Sequence, residues 1–591
     1  MNKTILIILI FINILFASTH KNFNKDIQVQ KQDIFKTQAQ EIVQSLIFGK
    51  NTSYLFLDDK SIKRYYKTFN YELIWINDNG VKNIALELLS SIQNDPVLKH
   101  RASEAFKLNE VVEQLRLLDK SNEQYIQSLS KIDFMLTGIY DKYMKYLSNG
   151  FINWELFKEE RKKFDEKEEI NSNWEKYTSR KNHRRLLFKA IKSNDLSIAF
   201  NAVNYTYPKA EELSKFILKF EQISQDGGYT KIPKINFLKE GSISPIVKIL
   251  RKRLLESEDL LSNSCVIDDE KHNENSLITE GSLTIENNCF NTFDENVEKA
   301  VISFQKSHGL KADGIVGNTT REYLNIPIEE KIEKMRLNIE RMRWMPRTLG
   351  EKYLLVNIPE YKLRVYDKNE VALDMKIVVG DKEHPTAIFS NKMSFIVLNP
   401  YWRIPQSIVK KEIVPKILED INYLKDKGIN IYENWELDST KIDVENIDWK
   451  IYSKSIEEQE PSLPLRFIQA PSDINPLGRM KFMFPNKYAI YIHDTPAKQF
   501  FQYDKRAYSH GCIRVEDSKK LLEIISQKDN SINYEEVSTI LEDAQSKDLN
   551  LEKKIPVHMV YLTSWIDENG KVQFRDDIYN YDSIQKKILF D

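Results

Sequence analysis

Three cysteines in 591 residues are too few for a disulfide scaffold, and they leave room for one bridge and one odd thiol. Glycine (17) and proline (18) are sparse, which excludes a collagen-like or low-complexity chain. Charge of one sign is lacking too. Lys+Arg 86 against Asp+Glu 87 leave a formal net charge of -1, and no long Lys/Arg-rich run supplies a local field, so nucleic acid is not an expected partner. Beyond the N-terminus there is no long apolar run, so a multi-span membrane protein is excluded and no stable membrane span is expected. What is present is globular: 41% hydrophobic, 29% charged and 11% aromatic residues, over a length that suits several domains.

The N-terminus opens with Lys3, an apolar run from Ile5 to Ala17 broken by Asn13, and the small residues Ala17, Ser18 and Thr19. The run is shorter than the roughly 20 residues a bilayer core needs and has the length of a signal-peptide apolar segment. Residues 1–18 are therefore expected to be a signal peptide directing a periplasmic protein, with an uncleaved inner-membrane anchor as the alternative.

Residues 19–235 carry mostly helical signals, with Ala39, Ile42, Val43 and Leu46 spaced on one face, and Asp226-Gly227-Gly228-Tyr229 closes them with a turn. This is expected to be a helical scaffold domain. Residues 236–327 form a second unit interrupted by a polar insertion over 256–291. In it a helix with Val247, Leu250 and Leu254 inward precedes one with Val297, Ala300, Val301 and Phe304 inward, and Asn318 or Thr319 is expected to cap the next. Residues 328–346 read as a linker helix with Ile328, Ile332, Met335, Ile339 and Met342 in one stripe. From 347 to 591 the pattern becomes strand-like, with segments near Tyr353, Lys362, Met375, Met393, Lys487–His493 and Val557. The fold class expected is multidomain α+β.

The chemistry concentrates in two short segments. Ser509-His510-Gly511-Cys512 is followed by Arg514, and Tyr491 and His493 stand upstream with the spacing of one strand face. A thiol needs a base, a cation or a helix N-terminus to become a nucleophile. His493 can be the base, Gly511 lets backbone approach an oxyanion closely, and a helix expected over Val515–Ile525 would place its N-terminus just after Cys512. A zinc site from His493, His510 and Cys512 is chemically possible, but no acidic ligand stands at a typical spacing, so no metal is expected. The remaining cysteines, Cys265 and Cys289, are expected to pair in the polar insertion.

These motifs carry a resemblance. The Ser509–Cys512 run with His493 upstream resembles the signature of YkuD-type L,D-transpeptidases. Gln469-Ala470-Pro471-Ser472, Asn399-Pro400-Tyr401-Trp402 and the Asp226–Tyr229 boundary are similar to the larger YcbB-type subgroup. Residues 296–320 resemble the three-helix peptidoglycan-binding domain. The resemblance implies a β-rich YkuD-like catalytic domain over 347–591, with a capping insertion at 406–466 in which Ile408, Ile413, Ile417 and Ile421 share a helical face. It also implies acyl transfer on peptidoglycan stem peptides with no cofactor. Cys512 would be the nucleophile, His493 the base and His510 an orienting group. The Gly511 and Cys512 backbone N–H groups, with Tyr491 helping, would hold the oxyanion, while Ser509 and Arg514 serve the substrate. Peptidoglycan stems and glycan are the expected partners and a monomer the expected state. An L,D-carboxypeptidase and an idle wall-binding scaffold are the alternatives.

Overall fold

The computed structural model describes residues 25–49, 56–98, 101–205, 207–262, 289–450, 465–527, 529 and 531–590. The expected signal peptide, Cys265 and most of the 256–291 insertion lie outside the described residues, as do 451–464 of the expected cap. The architecture is α+β: a helical N-terminal region, a small helical unit and a β-rich C-terminal half with its own insertion.

The N-terminal region is a packed helical core around Tyr125–Asn149, the longest helix described. Its Asp133 carboxylate is buried, where desolvation raises its pKa, and it is satisfied by the backbone N–H groups of Ile74, Trp75 and Ile76. The small helical unit follows expectation at its first helix: Pro245–Glu256 is capped by the Ser244 side chain and buries Val247, Leu250 and Leu254. The later helix Asn318–Leu324 differs. Its N-cap is Gly317 with no side-chain cap, because the helix starts at Asn318 itself. Cys289 is disulfide-bonded, and Cys512 is free.

Helix Ile328–Met342 is the spine of the molecule. Its apolar stripe packs between helix Ala210–Gln225 and the C-terminal sheet, meeting Ile217 and Phe220 on one side and Tyr353, Leu355 and Val560 on the other. Polar residues on the same helix are buried as well, and each finds partners. Arg341 pairs with Asp582 at 2.7 Å, Glu340 accepts the Ile152 N–H at 2.8 Å, and Arg343 lies between the rings of Tyr146 and Tyr205. Gly150 (φ +83) sits so close to this helix that an added Cβ would lie 2.2 Å from Glu340 Oε1.

Among the described residues the C-terminal sheet has nine strands, ordered Ala507–Ser509, Glu370–Gly380, Ile513–Val515, Ile492–His493, Met480–Met483, Ser390–Leu398, Lys547–Val560, Lys352–Asn357, Lys362–Asp367. The last strand also pairs with Glu370–Gly380, so the sheet closes on itself. Closure explains why segments such as Tyr353–Val356 are apolar on both faces: one face fills the interior and the other meets the spine helix. Two expectations are corrected here. Only Ile492–His493 of the Lys487–His493 segment pairs as strand, since Ala489 takes φ 55 and bends the chain. Val515 is strand, not helix, because Ile513–Val515 is held between two neighbouring strands; the helix begins at Ser518, where the Asp517 side chain accepts the Lys520 N–H.

The insertion folds as a separate small sheet ordered Trp402–Arg403, Arg466–Gln469, Ile429–Tyr432, Lys441–Ile442, with its own core of Val409, Ile413, Ile417, Leu424 and Phe467. The single helical face expected there is broken. A π-helical turn spans Val409–Ile413, the following helix stops at Glu419, and Ile421 is 43% exposed.

Candidate active site

Cys512 sits on a turn that the sequence locks in place. Gly511 has φ +102, a conformation glycine alone adopts readily, and its N–H donates to Ser509 Oγ at 3.1 Å. Ser509 Oγ in turn donates to the Cys512 carbonyl at 2.6 Å. Thr386 Oγ1 donates to the Gly511 carbonyl at 2.9 Å, and Gly380 packs so close that an added Cβ would lie 3.1 Å from Gly511 Cα. The turn is fixed from both sides. Cys512 lies before a strand rather than at a helix N-terminus, so no helix dipole activates it.

Strand register assembles the rest. Lys481 stands directly opposite His493, and His493 is paired with Arg514, so an imidazole is flanked by two cations across three adjacent strands. The Tyr491 ring lies 5.6 Å from the His493 ring, the Lys481 ammonium sits 3.8 Å over the Tyr491 ring, and burial, with the Cys512 thiol nearby, pushes the Tyr491 hydroxyl's pKa up. Cys512 Sγ also faces the Ala489 carbonyl at 3.8 Å.

The electrostatics follow from burial. His493 Nδ1 lies 2.5 Å from the Asp494 carbonyl. A carbonyl only accepts, so Nδ1 carries the proton and Nε2 keeps its lone pair. Desolvation, with Arg514 and Lys481 adding repulsion, pushes His493 down to about 3. Desolvation also pushes the Cys512 thiol up, opposed by the hydrogen bonds with Tyr491 and by the charges of Lys481 and Arg514. The resting imidazole is thus neutral, and the charges of Lys481 and Arg514 favour a negative sulfur at Cys512.

The structure brings Cys512, Tyr491, His493 and Arg514 together and turns His510 elsewhere. His510 Nε2 meets Glu412 Oε1 of the insertion at 2.7 Å, and its ring lies 4.6 Å from the His384 ring. The expected oxyanion donors are also revised: the Gly511 N–H is already donated to Ser509. Among the described residues, no group of three or more His, Cys, Asp or Glu side chains is arranged to hold a metal ion. Sequence reasoning missed Lys481 and Glu412. The one available signal for Lys481 was a lysine in the middle of an apolar alternation, Met480-Lys481-Phe482-Met483.

Residues 351–537 match the family model described as the YkuD L,D-transpeptidase catalytic domain. Residues 351–537 are thus similar to an L,D-transpeptidase catalytic domain. Residues 60–216 match a model described as a scaffold domain, and 277–324 one described as "Putative peptidoglycan binding domain". A Haemophilus influenzae protein named "Putative L,D-transpeptidase" is 33% identical over 250 residues, 42% of this chain and 48% of that protein. The chain thus spans about half the length of the curated relative it matches. Among solved structures, an L,D-transpeptidase from Xylanimonas cellulosilytica is 12% identical, with 56% of this chain and 99% of that one covered and a TM-score of 0.16. One from Mycobacterium smegmatis is 10% identical, covering 36% and 58%, also at 0.16. Among the described residues, no helix is long and apolar enough to cross a membrane.

Proposed function

We propose that this protein is an exported, periplasmic peptidoglycan L,D-transpeptidase that forms 3→3 cross-links between stem peptides through a Cys512 thioester, releasing D-alanine. The observation that carries the reading is His493, neutral with its Nδ1 proton committed to the Asp494 carbonyl, on the strand paired with the one that follows Cys512 and its glycine turn. His493 Nε2 takes the thiol proton as sulfur attacks the carbonyl of the third stem residue. The Cys512 N–H and the Tyr491 hydroxyl hold the oxyanion. The proton then passes to the departing amine of D-alanine, leaving the thioester. A side-chain amine of a second stem attacks, His493 accepts its proton, and the thiol is regenerated.

Charge separation is created only during reaction, where Lys481 and Arg514 favour the sulfur anion. Arg514 also suits a stem carboxylate, because its guanidinium is a bidentate fork and its Nε has no partner among the described residues. The insertion favours transfer over hydrolysis: through Glu412 it touches the turn that bears Cys512, where a cover limits water. The test has two arms. Intact-mass spectrometry with a carbapenem should show one adduct, lost in Cys512→Ala. Incubation with tetrapeptide stems should yield 3→3 dimers; tripeptide monomers alone would make the enzyme an L,D-carboxypeptidase instead.

A further inference from the structure

The helical N-terminal region carries an aromatic row that its own core does not cover. Helix Asp59–Thr68 ends in a turn where Asn70 and Tyr71 both take left-handed backbone, φ 52 and 61, and the Tyr71 N–H donates to the Tyr66 carbonyl at 2.8 Å. The turn sends its two rings to different helices. Phe69 meets Phe188 of helix His183–Ser193 with ring centroids 5.6 Å apart, and Tyr71 meets Phe48, the last residue of helix Lys25–Phe48, at 6.1 Å. Both ends of the row reach water: Phe48 is 63% exposed and Phe188 44%.

Basic side chains border the row. The Lys63 ammonium lies 5.5 Å over the Phe48 ring. Helical spacing sets Arg184, Arg185 and Lys192 three or four residues from Phe188, on its side of the helix. No single run supplies this field; two helices assemble it. Residues 58–72 and 180–194 together hold ten Lys or Arg against three acids. Of those acids, Asp58 accepts the Ser61 N–H at 2.6 Å and Glu72 pairs with Lys36 at 2.9 Å, which leaves Asp59. Adding Glu41 and Asp195 at the borders still leaves the face positive, on a chain of net charge -1.

The chemistry that fits is a surface rather than a pocket. Among the described residues Lys63, Arg185 and Lys192 make no ion pair, and Arg184 is held only through the Arg64 carbonyl at 3.3 Å. Long cations without fixed partners follow a fluid array of phosphates, whereas an acidic protein would be met by charges ordered to its shape. Exposed phenylalanine rings beside them enter the boundary between headgroups and acyl chains. We propose that this face docks on an anionic phospholipid bilayer and holds the exported enzyme at the membrane without a spanning helix. The proposal rests on export, as read above, and is independent of the acyl-transfer chemistry.

The experiment uses the mature chain from Thr19, which keeps every described residue and removes the apolar N-terminal run, and follows co-sedimentation with vesicles. Wild type should bind vesicles of phosphatidylglycerol and phosphatidylcholine in equal parts, should not bind phosphatidylcholine alone, and should be released by about 0.5 M salt. Phe48→Ser with Phe188→Ser leaves the charge unchanged and should weaken binding roughly tenfold. Lys63→Gln with Arg185→Gln and Lys192→Gln should weaken it roughly a hundredfold. Lys425→Gln with Lys450→Gln and Lys553→Gln removes the same charge elsewhere and should leave binding as in wild type. No binding by wild type, equal binding to uncharged vesicles, full binding by the serine pair, or equal loss in the second lysine set would each overturn the membrane assignment. The carbapenem adduct on Cys512 is read in parallel and should form in every variant, which shows that each is folded. Its absence from a wild type that still binds anionic vesicles would remove the transpeptidase reading and leave the docking face standing.

Discussion

Two buried lysine–histidine pairs in this chain differ in what surrounds them. In the first, Lys331 Nζ donates to His308 Nε2 at 2.9 Å, between the small helical unit and the spine helix. Three aromatic rings, of Tyr229, Phe304 and Phe574, stand 5.3–5.4 Å from that ammonium, and the His308 ring stacks on Phe304 at 3.9 Å. In the second, Lys481 and His493 face each other across two strands beside Cys512. Burial lowers the pKa of all four groups. The same desolvation therefore has two consequences. Beside inert rings it leaves a weakly basic joint between modules. Beside a thiol and Arg514 it yields a base that is never protonated at neutral pH, and a cation whose nearest use is a negative sulfur.

The largest effect should come from His493. His493→Ala should slow acylation of Cys512 by roughly 10²–10⁴-fold, the range for losing a positioned general base. The pH profile sharpens the claim. A base with a pKa of about 3 is already deprotonated throughout pH 5–9, so the rate should show no step near 6.5. It should climb only through the ionisation of the thiol, which burial has raised. Stopped-flow acylation by a carbapenem from pH 5 to 10 measures this, and a step near 6.5 would refute the depressed imidazole.

Lys481 comes next. Removing a cation from beside a thiolate disfavours the charged form, so in Lys481→Met the thiolate should appear at higher pH. Alkylation of Cys512 at pH 7.5 should slow roughly tenfold, the scale of one lost neighbouring charge. Arg403, Arg514, Asp548, Tyr491 and Glu412 remain as the other charged or titratable neighbours of this cluster. Lys481→Arg should restore the profile, which a purely structural role for the lysine would not require. An unshifted profile in Lys481→Met would leave Arg514 alone to favour the thiolate.

The contrast also explains what was legible in the sequence. Ser509–Cys512 could be read because the turn is local: a glycine at φ +102 and a serine that bonds within three residues are set by adjacent positions. The spine stripe from Ile328 to Met342 could be read because helical period alone defines a face. Lys481, Glu412 and His384 could not. Lys481 reaches the site through strand register, Glu412 through the docking of an insertion, and His384 through a loop after a distant strand. None of these leaves a spacing in the chain. The helix expected right after Cys512 failed for a related reason: Val515 is apolar in either element, and pairing with Ile377 decided for strand.

The smallest effect belongs to the other pair, and it separates joint from chemistry. Replacing only Lys331 would strand His308 Nε2, whose Nδ1 proton is already committed to the Phe304 carbonyl, so both partners should change together. Lys331→Met with His308→Phe keeps the ring that stacks on Phe304 and Phe574 and removes both buried bases. Acylation of Cys512 should be unaltered. Stability should lie between no change and a gain of ~1 kcal/mol, as when buried polar pairs give way to apolar volume. The sign with pH follows from the folded values lying below the unfolded ones. As pH falls below about 10.4 for the lysine and about 6.5 for the histidine, the unfolded chain binds more protons than the folded one, and the wild type loses stability. The double variant lacks that loss, so its advantage in thermal midpoint should widen steadily from pH 9 to pH 5. A constant difference across that range would mean that the pair is charged in the folded protein and that the contrast with Lys481 and His493 does not hold.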